Sequence, residues 1–250
     1  QLCDVRRERR GTRLFAGLIG GRLTEESIQS SVNAVDELAQ CARGDGAQEI
    51  FVFATSAVRD AANGRAFTDR CEAACGARVE IVSGEEEAVL SYIGASDGGV
   101  CGMIDIGGGS LEVAMGSDED PTVALSVPAG AGRVTREFLP ESGVADDDDL
   151  EAARKNIRKI LEPMVKAFPK SKHPMHAVGT SKTIRSLARL AGAVMRQPGR
   201  VDTSIMTIDQ LEDWLPRLAA IAPDQRTALP GVTPERTYQI VGGGLVIDEI

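Results

Sequence analysis

The residues best suited to phosphate chemistry lie in residues 105–112, Asp-Ile-Gly-Gly-Gly-Ser-Leu-Glu. An apolar stretch places Asp105 near the end of a predicted strand, three glycines follow, and Ser110 begins a second strand. Glycine permits left-handed backbone and close approach of a ligand, and successive amides in such a bend can bind an anion. Asp105 and Glu112 flank the bend, where carboxylates could hold Mg²⁺ directly or through water. The pattern favours a phosphate site, with Gly107, Gly108, Gly109 and Ser110 around the phosphate, over a plain hairpin turn between two surface acids.

A second candidate segment is residues 54–60, Ala-Thr-Ser-Ala-Val-Arg-Asp, which follows an apolar strand. Ligand loops of α/β proteins occupy this position. Thr55 and Ser56 supply hydroxyl groups, and Arg59 supplies a planar fork that matches phosphate oxygens. Helix capping by Ser56 and a surface pair between Arg59 and Asp60 explain the same residues equally well.

A third candidate is residues 83–88, Ser-Gly-Glu-Glu-Glu-Ala, at a predicted helix start. Acids there are favoured by the helix dipole, and Ser83 as N-cap places Glu86 at the third position of a capping box. This pattern gives no structural role to Glu87, which could orient or deprotonate a water that attacks phosphorus. Spacing alone nevertheless favours the structural interpretation of the three acids.

A fourth segment, residues 177–189, reads as a short strand running into Gly179 and a helix opened by Thr180. A helix N-terminus of this kind can bind an anion, but an ordinary strand–helix junction explains it equally well.

The elements that must position these segments alternate between strand and helix, which indicates an α/β protein. The apolar run at residues 50–54 predicts a strand covered on both faces. Seven helices are predicted. One begins at Thr24, one ends at about Cys75, one begins at Ser83, one includes residues 150–160 and one begins at Thr180. A sixth follows a capping box of Thr207 and Gln210, and the last runs from about Pro234 to the end with an interruption at residues 242–244. Strands are predicted at residues 12–18, 50–54, 79–82, 100–106, 111–115 and 122–127, the last two as antiparallel neighbours.

Composition bounds the class of partner. The 250 residues carry a formal net charge of −9, which argues against a broad nucleic-acid or anionic-membrane surface. An odd number of cysteines, 5, in no zinc-binding spacing favours a reducing cytoplasm. No apolar run approaches the length needed to span a bilayer, so we expect a cytoplasmic protein without a membrane or nucleic-acid partner.

Taken in this order, the segments resemble the exopolyphosphatase and guanosine-pentaphosphate phosphohydrolase (Ppx/GppA) family. The resemblance rests on residues 54–60, 83–88 and 105–112 and on residues 229–244, LPGVTPERTYQIVGGG. The family belongs to the actin, Hsp70 and sugar-kinase superfamily with its ribonuclease H-like fold. The resemblance therefore implies two α/β lobes with the substrate between them, here predicted as residues 1–98 and 99–250.

The resemblance also implies roles for the candidate residues. Glu87 matches the catalytic glutamate, which reverses the structural interpretation given above. Asp105 and Glu112 would help to hold Mg²⁺, residues 107–110 would bind phosphate, and Arg59 would contact phosphate, with Thr55 and Ser56 beside it. The implied reaction is release of terminal phosphate from inorganic polyphosphate. Hydrolysis of pppGpp and a non-catalytic regulator that binds polyphosphate or nucleotide are the alternatives, and family members commonly form homodimers.

The sequence departs from the family pattern in two places. The family's opening strand hairpin, with a first phosphate loop of Asp-x-Gly-(Ser/Thr)-Asn-Ser type, is not found in this sequence. Tyr238 stands where the family usually carries an acid. With 2 histidines, the sequence resembles the short form of the family, which lacks the additional metal-dependent domain.

Overall fold

The computed structural model describes residues 6–96, 101–117, 120–168, 176–192 and 205–250. The chain divides into two compact units, Gln1–Ser83 and Gly84–Ile250. The helix that carries Glu87 therefore belongs to the second unit. The lobe boundary predicted between residues 98 and 99 lies outside the described residues, and it stays a prediction.

The first unit packs three helices against short strands. Thr24 caps helix α1 by accepting a hydrogen bond from the N–H of Ser27, which confirms the predicted helix start. Strands β1 and β2 form an antiparallel hairpin, and β3 pairs with β4 in parallel. The elements are β1 (Leu18–Ile19), β2 (Arg22–Leu23), α1 (Glu25–Gly44), β3 (Val52–Ala54), α2 (Ser56–Arg59), α3 (Gly64–Cys75) and β4 (Val79–Ile81).

Two strand predictions for this unit are wrong in part. Residues 12–18 form a 3₁₀ turn, Leu14–Gly17, before the two-residue strand β1. The chain turns there because Gly17 lies against the start of α1, where an added Cβ would be 2.4 Å from Cβ of Ser27. The strand at residues 50–54 is not covered on both faces, since Phe51 and Phe53 are 76% and 52% exposed. Its other face packs on α1 and α3.

The second unit is built on a four-stranded sheet of order β7-β6-β5-β8. Strands β5, β6 and β7 are antiparallel neighbours, as predicted for the last two, and β8 runs parallel to β5. The elements are α4 (Gly84–Ala95), β5 (Cys101–Ile106), β6 (Leu111–Ser117), β7 (Asp120–Val127), α5 (Ala131–Phe138), α6 (Asp147–Ala167), β8 (His176–Gly179), α7 (Lys182–Leu190), α8 (Ile208–Ala220) and α9 (Ile240–Asp248).

The sheet buries both faces. On one face, Met103 and Ala114 form a small core with Tyr92 of α4. On the other, Ile106 and Leu111 join the main core, which α5 to α9 complete. Each strand must therefore carry apolar residues on both sides, which explains the continuous apolar run of β5.

Helix α9 lies at the centre of the main core, and every residue from position 240 to 247 is buried. It differs from the prediction in two ways: it begins at Ile240 rather than near Pro234, and the glycines at residues 242–244 lie inside the helix without interrupting it. The capping box at the start of α8 is confirmed. The hydroxyl of Thr207 accepts from the N–H of Gln210, and the side chain of Gln210 accepts from the N–H of Thr207.

Candidate functional site

The antiparallel register of β5 and β6 sets the position of two candidate carboxylates. Asp105 lies directly opposite Glu112, and Ile106 lies opposite Leu111 at the last pair before the bend. Residues directly opposite each other in an antiparallel pair project to the same face, with Cβ atoms roughly 5 Å apart. Asp105 and Glu112 are therefore neighbours near the bend, at the end of β5 and the start of β6.

In the bend between these strands, the carbonyls of residues 107–109 accept hydrogen bonds from α5. The N–H groups of Ala131 and Arg133, in the first turn of α5, donate to the carbonyls of Gly107 and Gly108, each at 2.9 Å. The side chain of Arg133 donates from Nε to the carbonyl of Gly109 at 2.8 Å. Within the described residues, the amides of Gly108 and Gly109 have no acceptor. The bend thus directs its carbonyls to α5 and leaves amides for an anion.

Close approach explains the glycine at position 130, and left-handed backbone does not explain the glycines of the bend. None of the three bend glycines is among the described glycines with positive φ, so that part of the expectation is not met. Instead, a Cβ added to Gly130 would lie 2.5 Å from N and C of Gly109 and from N of Ser110. Glycine at position 130 lets α5 begin directly against the bend.

Glu112 is a buried carboxylic acid, only 2% exposed. Its pKa is raised to about 7, above all by burial, and the charges of Glu87 and Asp105 raise it as well. Hydrogen bonds from the hydroxyls of Ser110 and Ser126 lower the pKa and partly offset these effects; the bond from Ser126 measures 2.8 Å. The structure therefore brings the carboxylates of Glu87 and Asp105 within electrostatic range of Glu112.

Glu87 lies in the first turn of α4 and is half-buried, whereas Glu85 and Glu86 are exposed. The burial of α4 against the sheet explains the difference, because Glu87 directly precedes Ala88, which is fully buried one turn before Tyr92, and Tyr92 packs on β5. The capping box between Ser83 and Glu86 stays a prediction.

The segment with Thr55, Ser56 and Arg59 belongs to the first unit. It forms the short helix α2 instead of the predicted loop, and Thr55 rather than Ser56 occupies the N-cap position. Arg59 donates from Nη1 to the carbonyl of Val82 at 2.8 Å, which holds its side chain beside the end of β4. The contribution of these three residues to phosphate binding stays a prediction.

The fourth candidate segment lies beside the bend. Because β8 is parallel to β5, Gly179 is paired with Ile104, and the N–H of Thr180 donates to the carbonyl of Ile104 at 3.1 Å. Ser181, not the predicted Thr180, caps α7, since its side chain accepts from the N–H of Ile184 at 3.0 Å. Helix α7 thus begins at the same end of the strands as the bend.

The donor set suits Mg²⁺ but not a site formed by protein alone. Among the residues that the structure describes, no group of three or more His, Cys, Asp or Glu side chains is placed to hold a metal. Mg²⁺ is commonly held by one or two carboxylates together with substrate phosphates and water, which Asp105 and Glu112 can provide. Among the described residues, none of the groups that act on the pKa of Glu112 is a cation.

Sequence reasoning missed the residues that pack against the bend and donate hydrogen bonds to its carbonyls. Gly130, Ala131 and Arg133 follow β7 in the stretch Pro-Ala-Gly-Ala-Gly-Arg. Ser126 likewise sits unremarked in a strand. The run of small residues after a strand was the available signal for a close backbone approach.

An α/β unit with a glycine bend and carboxylates at one sheet edge is typical of proteins that handle phosphate groups. The comparisons make this specific: the chain belongs to the Ppx/GppA phosphatase family, whose model matches residues 1–250. It is therefore a phosphatase-type hydrolase, as the sequence predicted. No helix in the described part of the chain is long and apolar enough to cross a membrane.

Several of the similar curated proteins are mycobacterial exopolyphosphatases, and several of the similar structures are of exopolyphosphatase-like or Ppx/GppA proteins. The chain is 37% identical to Exopolyphosphatase 1 of Mycobacterium tuberculosis over 239 residues, which cover 91% of this chain and 67% of that protein. It is similar to the crystal structure of an exopolyphosphatase-like protein, with a TM-score of 0.84 at 23% identity over 96% of this chain and 79% of the other. The Aquifex aeolicus Ppx-GppA enzyme gives a TM-score of 0.74 at 24% identity over 96% and 80%. These likenesses confirm the predicted α/β fold of the family.

Proposed function

We propose that the protein releases terminal phosphate from inorganic polyphosphate at the bend between β5 and β6. The observation that carries the proposal is the convergence of Glu87 and Asp105 on Glu112, beside a bend in which the carbonyls of residues 107–109 accept hydrogen bonds from α5. Similarity to Exopolyphosphatase 1 of Mycobacterium tuberculosis supports polyphosphate as the substrate. The expectation that the substrate lies between two lobes stays a prediction.

In this proposal the bend binds the oxygens of the terminal phosphate. The amides of Gly108 and Gly109 supply donors that are fixed before the substrate arrives, because α5 holds the carbonyls on their other side. Donors fixed in this way stabilise charge that develops on a transferring phosphoryl group without reorganising during the reaction.

Glu87 would act on the attacking water. A half-buried carboxylate on a packed helix holds a fixed direction, and it can accept a proton from a water aligned with the phosphorus.

Asp105 and Glu112 would hold Mg²⁺ through carboxylate oxygens. When bound, the ion supplies positive charge that offsets the negative charge of the phosphate oxygens. It would also place a positive charge beside the buried Glu112 carboxylate, whose pKa is raised by burial and by the charges of Glu87 and Asp105.

The test compares Glu87→Gln with Glu85→Gln in phosphate release from polyphosphate. The two variants remove the same charge from positions two residues apart in the first turn of α4, one half-buried and one exposed. We expect Glu87→Gln to lower kcat by about 100-fold or more while polyphosphate binding and thermal stability are retained, and Glu85→Gln to behave like the wild type.

Each other outcome has a defined meaning. Near-normal turnover by a folded Glu87→Gln variant removes Glu87 from the mechanism. Faster phosphate release from pppGpp than from polyphosphate replaces the substrate assignment. Tight polyphosphate binding by the wild type with no release in Mg²⁺ replaces the enzyme with a binding regulator.

A further inference from the structure

Three consecutive glycines, at residues 242–244, lie in the middle of the most deeply buried helix of the second unit. Glycine is among the least favourable residues in a helix interior, because it loses the most backbone freedom. A buried helix also gains from apolar side chains, which glycine lacks. These positions therefore need a packing reason, and the backbone of α9 supplies one.

Gly242 lies against the first turn of α5. A Cβ at this position would be 2.4 Å from Oγ1 of Thr135, 2.8 Å from the carbonyl oxygen of Ala131 and 2.9 Å from N of Thr135. Two of these three atoms belong to the backbone, which cannot rotate away. Residue 242 thus sets how closely α9 approaches the start of α5.

Gly243 lies against the first turn of α7. A Cβ at this position would be 2.4 Å from Cγ2 of Thr183 and 3.1 Å from Cβ of Ala131. Gly244 differs, because its nearest atom is Cδ2 of Leu215 at 2.5 Å, the far end of a flexible side chain.

The first turns of α5 and α7, which pack against α9, are both connected by hydrogen bonds to the C-terminal end of β5 or to the bend that follows it. The N–H of Ala131 donates to the carbonyl of Gly107 at 2.9 Å, and α7 begins directly after Thr180, whose N–H donates to Ile104 at 3.1 Å. A shift of either helix start by a fraction of an ångström would be passed to the bend through these bonds.

We propose that Gly242 and Gly243 are positioning residues for the bend at residues 107–110. The absence of side chains on α9 fixes the first turns of α5 and α7, and these turns fix the direction of the bend amides. The inference rests on the proposed function in so far as the bend binds the substrate phosphate.

The central test is Gly243→Ala, alone and with Thr183→Ser. The added methyl group of alanine meets Cγ2 of Thr183, and serine lacks that atom while keeping the hydroxyl. We expect Gly243→Ala to lower kcat/KM for phosphate release from polyphosphate by at least about tenfold, as displacements of this size do. The fall in kcat should come with a rise in KM, because the amides contact phosphate in the bound substrate as well. The double variant should recover most of the loss.

Gly244→Ala is the matched control, since it adds the same methyl group one position further along the same buried helix. Its kcat/KM should stay within about twofold of the wild type, because leucine side chains can repack. Gly242→Ala should lose activity at least as strongly as Gly243→Ala. Thermal unfolding midpoints, recorded for every variant, separate a displaced bend from general loss of stability.

A second readout does not depend on activity. The amide signals of Gly108 and Gly109 in ¹H–¹⁵N spectra of the substrate-free protein should shift in Gly243→Ala, return in the double variant and stay unchanged in Gly244→Ala. If the wild type releases no phosphate, the proposed function fails while these spectra still test the positioning role.

Several results would overturn the inference. Unchanged amide signals together with unchanged kcat/KM in a folded Gly243→Ala protein would do so. A loss that Thr183→Ser does not restore, or an equal loss in Gly244→Ala, would do so as well.

Discussion

Replacing Glu112 with glutamine should remove one pH-dependent contribution to the stability of the protein. The carboxyl is buried and has a pKa of about 7, against an ordinary value of 4.5. At 1.36 kcal/mol for each pKa unit, keeping this group ionised in the folded state costs up to about 3 kcal/mol. Glutamine keeps the shape and an acceptor oxygen for Ser126, but it carries no charge to bury.

The sign follows from the raised pKa. Below about pH 4.5 the acid is protonated in both folded and unfolded states, and its contribution to stability is fully present. As pH rises through 7, the unfolded state gives up its proton first, so the wild type loses that contribution. The free energy of unfolding of Glu112→Gln minus that of the wild type should therefore grow from near zero at pH 4.5 to about 3 kcal/mol at pH 8.

The assay is urea unfolding at several pH values between 4.5 and 8 in a chelator, followed by the same series with Mg²⁺. Taking the difference between variant and wild type cancels the titration of groups that do not interact with Glu112, and leaves that of Glu112 with the contribution of Glu87 and Asp105 beside it. Bound Mg²⁺ should restore stability to the wild type at pH 8 and should do little for the variant. Glu85→Gln, at an exposed position of α4, is the control and should track the wild type throughout.

A difference that stays flat between pH 4.5 and 8 would refute the reasoning, because it would show that the Glu112 carboxyl ionises in the folded protein without cost. A Mg²⁺ effect of equal size in both proteins would leave the pKa argument intact but remove Glu112 from the proposed set of ligands.

Three further predictions concern the surroundings of the bend. Gly130→Ala places a Cβ 2.5 Å from three backbone atoms, and it should lower the free energy of unfolding by about 2 kcal/mol and abolish phosphate release. Gly94→Ala is its control, because the added Cβ there meets nothing within 4 Å. Equal stability and activity of the two variants would contradict the close approach. Arg133→Met removes the Nε donor to Gly109 and should raise KM for polyphosphate about tenfold, the effect of one charged hydrogen bond; an unchanged KM would mean that the bend keeps its orientation without it. Arg226→Met leaves buried carbonyls of Leu218, Thr237 and Gly143 without their donor and should lower unfolding free energy by about 3 kcal/mol, measured by urea unfolding, whereas a change near zero would mean that water replaces the guanidinium.

Local patterns were sufficient where the structure depends on neighbours along the chain. The helix start at Thr24 and the capping box of Thr207 and Gln210 are formed by side chains that bond to backbone three residues away. The antiparallel pairing of β6 and β7 likewise follows from two apolar runs joined by a short connection. The family resemblance added the α/β fold, and the roles of Glu87 and its neighbours stay predictions.

Local sequence patterns gave wrong predictions where the structure depends on contacts between distant segments. Residues 242–244 looked like a break in a helix because glycine has low helix propensity, yet close packing against Thr135 and Thr183 keeps them inside α9. Phe51 and Phe53 looked like the core of a covered strand, yet only one face of the two-stranded sheet packs on helices. Neither outcome is visible in sequence spacing, because the partner that decides it is more than 50 residues away or is a whole layer of structure.

The polarity of the bend also bears on how the protein should be handled. Backbone N–H groups recognise an outer shell of negatively charged oxygens and have no means of sensing the central atom. Sulfate, vanadate or inorganic phosphate in a buffer would therefore occupy the same amides of Gly108 and Gly109 and compete with substrate. Enzyme assays should be run in buffers without such oxyanions, and crystals grown from sulfate salts should hold an ion at this bend.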